Sequence, residues 1–427
     1  MYKAISYAIF TGSNYLGCMS TGKFQQDMIL ENCDECLEGN SMHLHHNRPD
    51  LKIVKPKEWG IQGFFGLIKD DYDYLYSNPN CSGLSRINRC ACADHPRNNS
   101  LLESFGIIDR IDPKTFFIEN APALCSNTGW PILCRMVREL GDRYRFNITR
   151  DFGKHHGVNM SRQRTLVTGY RRDVFDTNYL LPFDPITAGP VLQTCGGPQE
   201  PHDEGVFEYS RYVRELATIV DTHWDIFEHL VHKYEKTFAT LSLMISTEVS
   251  NPYKRYEETY DWNELIAQCD ISQKTKDTLK AEIGRKIKKL SMGKGFWDKS
   301  PVLITKDTQN AMSLTSLSVM YNFEERRLFN IREYANLMGY PKDFVFLPGV
   351  NVGHVAQGVP ALFAKYVHEH IATVLDGGGE IVQETVSRPK ADVVLQINGG
   401  KNRRWIWTTN EEFPLFEGIN GHFNKEV

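Results

Sequence analysis

The chain has 427 residues, enough for two or three domains and a sizeable core. Hydrophobic residues make up 41% and charged residues 24%, an ordinary globular balance, and no apolar run approaches the roughly 18 residues that cross a bilayer. The net charge of −4 excludes a broadly basic nucleic-acid binder, so any such surface has to be local.

Over the first 175 residues, β-rich runs alternate with helical patterns, which predicts an α/β sheet with helices on both faces. "AISYAIF" (4–10) reads as the first strand, and "FTGSNYLG" (10–17) as its turn into a helix, where Gly12 lets a ligand approach the backbone. Tight turns of this kind also occur where nothing binds. A strand at 27–30 runs into Glu31, 19 residues after Gly12, where a ribose-binding carboxylate belongs in a doubly wound nucleotide site. A strand at 73–77 leads into "NPNCSG", so Cys81 sits in a turn at the same sheet edge rather than among aliphatic residues. Arginines or helix amides facing that thiol would depress its pKa; the plainer alternative is an inert turn cysteine. "TFFIEN" (115–120) ends a strand at Glu119, which fits a surface acid or the same crevice. "WPILCRMVREL" (130–140) has helical spacing, and strands follow at 144–149 and 164–171. Arg162 and Arg164 enter the latter two apart, hence on one side, as a functional pair or a solvated edge.

After a Gly/Pro-rich stretch (189–205), one long amphipathic helix is predicted over 207–238, with Val213, Leu216, Val220, Trp224, Phe227 and Val231 along one side. The segment 271–295 carries eight Lys/Arg against two acids. Its Lys286, Lys288, Lys289 and Lys294 are candidates for phosphate binding, and a solvated helix face fits equally. Helical signal returns at 330–339 and 359–375, and the tail is polar with one aromatic–basic knot, "RRWIWTT" (403–409), read as packing. Ten cysteines without a repeating frame point to a reducing compartment, the cytoplasm of a bacterial or phage-infected cell, or the nucleus in a eukaryote. Cys33, Cys36, Cys90 and Cys92, with His43, His45, His46 and His95 nearby, raise zinc, but Cys90-x-Cys92 is too tight for a structural pair and no metal is expected.

A thiol, a strand-end glutamate and paired arginines fit one reaction. Carbon 5 of cytosine is not nucleophilic until a thiolate adds to carbon 6, which needs an acid at N3 and a donor at O2. In this order of motifs, running to about residue 375, the chain resembles the cytosine-5 DNA methyltransferases. The resemblance implies a Rossmann-like S-adenosylmethionine-dependent domain (1–185 plus 340–385), an inserted, partly helical target-recognition domain (190–335) and a C-terminal extension (386–427) of unassigned role. It implies Cys81 as nucleophile, Glu119 as partner of the cytosine, Arg162 as a loop-positioning residue and Arg164 as a base contact. Cofactor contacts are implied for Phe10, Gly12, Asn14, Leu16, Glu31, Asn78, Pro79 and Val359, and nucleic-acid contacts for Ser85, Arg86 and Arg89. The implied partner is double-stranded DNA, bound by a monomer that flips its base, in the manner of restriction–modification systems.

Four departures stand out. Asn80 precedes the nucleophile where the family has proline. Asn14 and Tyr15 replace glycines, with Asn14 expected to tolerate a left-handed turn. Met160 replaces a glutamine, and either Gly353-His354 or Ala356-Gln357 fills the last motif's Gly-Asn place. Three other readings stay open: a transfer-RNA cytosine-5 methyltransferase, a catalytically inactive DNA-binding relative, and an unrelated Rossmann oxidoreductase.

Overall fold

Short β-branched and aromatic runs become the strands of one mixed, ten-stranded sheet. The computed structural model describes residues 1–32, 41–55, 71–85, 90–196, 207–234, 239–241, 244, 260–293, 300–309, 319–381, 391–399, 402–416 and 418–419. The chain divides into two compact units. Met1–Ala188, Met338–Leu347 and Ala356–Val427 form the first; Gly189–Leu337 and Pro348–Val355 form the second.

In the first unit the strands are β1 (Tyr2–Tyr7), β2 (Phe24–Gln25), β3 (Met28–Leu30), β4 (Lys52–Val54), β5 (Tyr74–Ser77), β6 (Thr115–Asn120), β7 (Tyr144–Phe152), β8 (Gln163–Arg171), β9 (Val393–Gly399) and β10 (Asn402–Thr408). Their order is β10-β9-β7-β8-β6-β5-β1-β3-β4, with β2 beside β1. From β1 the chain builds outward through β3 and β4 on one side and through β5 and β6 on the other. The switch point therefore lies between β1 and β5, and in open α/β sheets ligands collect at the carboxyl ends of the strands there. Parallel pairing brings those ends level, with Tyr7 opposite both Leu30 and Ser77, and Ser77 opposite Ile118. β8 runs antiparallel to β6, so its beginning meets the end of β6, and Thr165 pairs with Asn120.

Helices α1 (Ser13–Met19), α2 (Ser41–Asn47), α3 (Asn99–Ile111), α4 (Trp130–Leu140) and α5 (Ala361–Leu375) accompany the sheet. In α4 the buried Ile132, Leu133, Met136, Val137 and Leu140 recur at helical spacing and pack with Phe116 and Phe146 of the sheet. Each such side chain contributes about 1.5–3 kcal/mol on burial. Gly17 of α1 lies so close to α5 that a Cβ there would stand 2.6 Å from the Ala361 carbonyl oxygen. The tail that carries "RRWIWTT" pairs as the antiparallel hairpin β9–β10, and β9 continues the sheet parallel to β7.

The second unit departs from the expected single helix over 207–238. Helices Arg211–Thr222 and Trp224–Tyr234 are separated by His223, whose Nε2 donates to the Leu265 carbonyl at 2.8 Å. That bond accompanies the departure of His223 from helical geometry, and the second helix packs Phe227, Leu230 and Val231 into a hydrophobic cluster shared with Ala217 and Val220 of the first. Residues 235–238 lie outside the described residues. The basic segment forms the helix Gln273–Ser291, capped by Ser272, whose Oγ accepts from the Thr275 amide, with Leu279 and Ile283 buried. Among the described residues no helix is long and apolar enough to cross a membrane.

Candidate active site

Four strand ends and the start of β8 supply the site, all within the first unit. The turn after β1 is unusual: Ala8 and Phe10 have φ of 55° and 51°, and Gly12 has φ of 104°. Left-handed backbone at two non-glycine residues marks a locally strained loop of the kind that clusters at ligand sites. Asn14, expected to take a left-handed turn, instead lies in α1, and Gly12 takes that conformation. Its Oδ1 accepts from His368 Nε2 at 2.8 Å, and His368 Nδ1 meets the Tyr74 hydroxyl at 2.8 Å. Burial drops the His368 pKa to about 3, so the ring stays neutral and bridges α1, α5 and β5 as a hydrogen-bonding core residue. Asn14 thus anchors the turn from beneath.

Glu31 follows β3 and is 1% exposed. Burial pushes its pKa up to about 7, against the pull of the Ser41 hydroxyl and the Asn32 backbone. A carboxylate held at a strand end beside a glycine turn suits the diol of a ribose, so these residues fit a nucleoside-containing cofactor. Leu16 and Phe10 are half-buried beside that turn, while Val359 is fully buried.

The loop after β5 carries Asn78, Pro79, Asn80 and Cys81. Asn78 Nδ2 donates to Glu119 Oε2, and Arg164 Nε meets Glu119 Oε1 at 2.5 Å. Glu119 is 2% exposed, so its charge is compensated on both oxygens inside the fold. Arg164 Nη1 donates to the Gln163 carbonyl, and its Nη2 has no hydrogen-bond partner among the described residues. Arg162 faces elsewhere: its Nη2 donates to the carbonyls of Ala356 (2.9 Å) and Gly358 (2.5 Å). Burial, then repulsion from Arg164, lowers its pKa to about 9, which keeps it charged at neutral pH. Gly358, at φ 80°, lies so close to Asn78 that a Cβ would sit 2.5 Å from Asn78 Oδ1. Arg162 therefore ties the segment before α5 to the start of β8, and Gly358 of that segment packs against Asn78 of the loop after β5. Of the two candidates for the last motif's Gly-Asn place, Ala356-Gln357 belongs to this segment, whereas Gly353-His354 belongs to the second unit.

Cys81 sits beside these groups, partly exposed as a residue. Burial of the thiol raises its pKa; Arg164 and Arg162 oppose this, and Glu119 adds to it. The charges of both arginines favour the thiolate, yet desolvation outweighs them and the net shift is upward. Two further groups carry the loop and had no assigned role in the sequence. Asn120 Nδ2 donates to the Pro79 carbonyl at 3.2 Å, and Ser100 Oγ accepts from the Asn80 amide at 3.0 Å. Asn120 was visible as the second residue of the Glu-Asn pair, but Ser100, twenty positions away on α3, left no local signal.

Ser85 is half-buried at the end of the loop, and Arg86 and Arg89 lie outside the described residues, as do Lys294, Cys33 and Cys36. In the second unit Lys288 and Lys289 are exposed at the end of the basic helix, and Lys286 is half-buried. No group of three or more metal-ligating side chains occurs among the described residues.

The model of the C-5 cytosine-specific DNA methylase family matches residues 24–370. The type II methyltransferase M.MthTI of Methanothermobacter thermautotrophicus is 24% identical over 170 residues, 39% of this chain and 43% of that protein. The type II methyltransferase M.AgeI of Thalassovita gelatinovora is 28% identical over 131 residues, 29% of this chain and 30% of that protein. The chain thus matches less than half the length of these curated relatives. Two solved structures share the fold. An E. coli prophage-encoded protein described as a DNA modification methyltransferase has a TM-score of 0.55 at 14% identity, covering 88% of this chain and 100% of its own. The Entamoeba histolytica methyltransferase EhMeth has a TM-score of 0.53 at 10% identity, covering 88% and 99%.

Proposed function

The chain belongs to the C-5 cytosine-specific DNA methylase family, and from that premise we propose that it transfers a methyl group from S-adenosylmethionine to carbon 5 of a cytosine in double-stranded DNA. The observation that carries this reading is the single cluster of Cys81, Glu119 and Arg164 at one sheet edge, with Asn78 bonded to the same glutamate. A methyltransferase of this type needs a thiol, a group at N3 and a donor at O2 within one pocket, and all three come from one unit of one copy. This supports action as a monomer.

The target base leaves the stack, because carbon 6 is inaccessible within a duplex. Cys81, once ionised, forms the Sγ–C6 bond, and the C5–C6 π electrons move onto carbon 5. Glu119 holds N3 and stabilises the added negative charge by hydrogen bonding or proton transfer. Arg164, steered by Glu119, directs its remaining Nη2 to O2. When bound, S-adenosylmethionine supplies an electrophilic methyl group for carbon 5 to attack. Loss of the carbon-5 proton reforms the C5=C6 bond and expels the thiolate. Glu31 is assigned to the cofactor's ribose; Phe10, Gly12, Leu16, Asn78 and Pro79 line its site, with Asn14 and Val359 behind them. The second unit is the candidate target-recognition part, with Lys288 and Lys289 on phosphate.

The test is nucleoside mass spectrometry after incubation with S-adenosylmethionine, run separately on unmodified duplex DNA and on transfer RNA. New 5-methyldeoxycytidine in DNA is expected. Methylcytidine in RNA alone would transfer the assignment to an RNA substrate.

A further inference from the structure

Position 80 is one place where this chain departs from the motif it resembles, and the structure supplies what stands in place of the proline. A proline has no N–H, so the loop before the nucleophile would need no acceptor at that point. Asn80 adds one donor, and Ser100 in the first turn of α3 receives it at 3.0 Å. Ser100 is only 8% exposed, so this bond stands largely shielded from water. The Asn80 side chain then closes the other side of the turn, its Oδ1 accepting from the Ser82 amide at 2.8 Å. Cys81 is the residue enclosed between these two bonds. The Asn120 bond to the Pro79 carbonyl and the Leu84 amide bond to the Cys81 carbonyl (3.0 Å) complete its frame.

We propose that Asn80 and Ser100 act together as positioning residues for Cys81, replacing the ring constraint of a proline by one hydrogen bond to α3 and one across the turn. This rests on the assignment of Cys81 as nucleophile. The two solutions are mutually exclusive at position 80, because the proline that removes the donor also removes the need for Ser100. Ser100 matters to the reaction only while an N–H stands at residue 80. The Asn80 side chain is engaged by the Ser82 amide and the Ser100 hydroxyl by the Asn80 amide, so the effect passes through the placement of Sγ.

The experiment compares the full-length protein with Ser100→Ala, Ser100→Thr, Asn80→Pro and the double variant Asn80→Pro/Ser100→Ala. Two readouts are taken: single-turnover methyl transfer to duplex DNA, and the rate at which iodoacetamide modifies Cys81 in the free protein. Ser100→Ala is expected to slow transfer about tenfold, the equivalent of one unmade buried hydrogen bond, with the KM for DNA and cofactor little changed. Its Cys81 alkylation rate should change as well. Ser100→Thr, which keeps the hydroxyl, should restore both. In the Asn80→Pro background, Ser100→Ala should cause no further loss. An equal loss in both backgrounds, or no loss in either, overturns the proposal. If Asn80→Pro does not fold, the contrast between the alanine and threonine variants at unchanged melting temperature decides the point. Absence of methyl transfer in the parent protein would instead overturn the assigned reaction, while the alkylation rates would still report the placement of Cys81.

Discussion

Replacing Glu119 by glutamine separates the chemical role of the carboxylate from its structural one. One oxygen takes Arg164 Nε at 2.5 Å and the other takes Asn78 Nδ2. A glutamine has nearly the same volume but only one acceptor oxygen, so its NH2 must face either the guanidinium or the Asn78 amide. One charge-assisted bond is lost and one donor–donor contact is created, which costs the fold about 1.5–3 kcal/mol. In a unit of this size that lowers Tm by roughly 2–4 °C per kcal/mol. The effect on transfer is larger, because loss of a group that holds N3 as the thiolate adds costs about 10²–10⁴ in rate. That corresponds to about 3–5 kcal/mol at the transition state. The assay is single-turnover transfer of tritiated methyl to duplex DNA, with cofactor affinity measured by calorimetry and folding by thermal denaturation. Rate should collapse while cofactor affinity holds. A variant that melts earlier yet transfers at the parent rate would make Glu119 a structural anchor and leave N3 to another group.

Three further outcomes follow from the same geometry. Burial raises the Cys81 thiol above its ordinary pKa, so iodoacetamide reactivity in the free protein should keep climbing through the usual thiol range near about pH 8.5; a plateau at neutral pH refutes this. Glu31 ionises at about 7: its folded pKa lies above the unfolded one, so its contribution to stability is present below the ordinary carboxylate range and lost as pH rises through 7. On the proposed role, in which the ionised form accepts from a ribose diol, cofactor affinity should fall about tenfold per pH unit below that point, and Glu31→Gln should flatten the profile; calorimetry from pH 5.5 to 8 reads it, and a flat parent profile contradicts it. Arg162→Met removes the bonds to the Ala356 and Gly358 carbonyls, and should weaken cofactor binding and cost roughly 3 kcal/mol of stability through the broken buried charge contacts; unchanged Kd and Tm would remove its tethering role.

What the sequence made legible was local. The strand ends at Leu30, Ser77 and Asn120 were marked by β-rich runs meeting turn residues, and their common edge placed Glu31, Cys81 and Glu119 near one another. Spacing alone put Arg162 and Arg164 on one side, but only the fold gives them separate partners. What stayed hidden depends on residues far apart in sequence. Asn14 is explained by His368 and Asn80 by Ser100, and the break at His223 is accompanied by the bond to the Leu265 carbonyl. The sign of the Cys81 shift was hidden too, because desolvation is a property of the packed site and not of the flanking residues. The β9 strand was missed for a further reason. "VVLQI" is a short apolar run in a polar tail, and its two-sided burial beside β7 appears only when the sheet is assembled.

The most direct measurement replaces deoxycytidine in a long duplex of mixed sequence by 5-fluorodeoxycytidine and maps the protein peptide that becomes attached. Fluorine at carbon 5 cannot leave as a proton does, so the C5=C6 bond cannot reform and the Sγ–C6 bond persists. A DNA-linked peptide containing Cys81, formed only when S-adenosylmethionine is present, is the result the account predicts. Attachment at another cysteine, or none at all while ordinary duplex DNA is methylated, would contradict it.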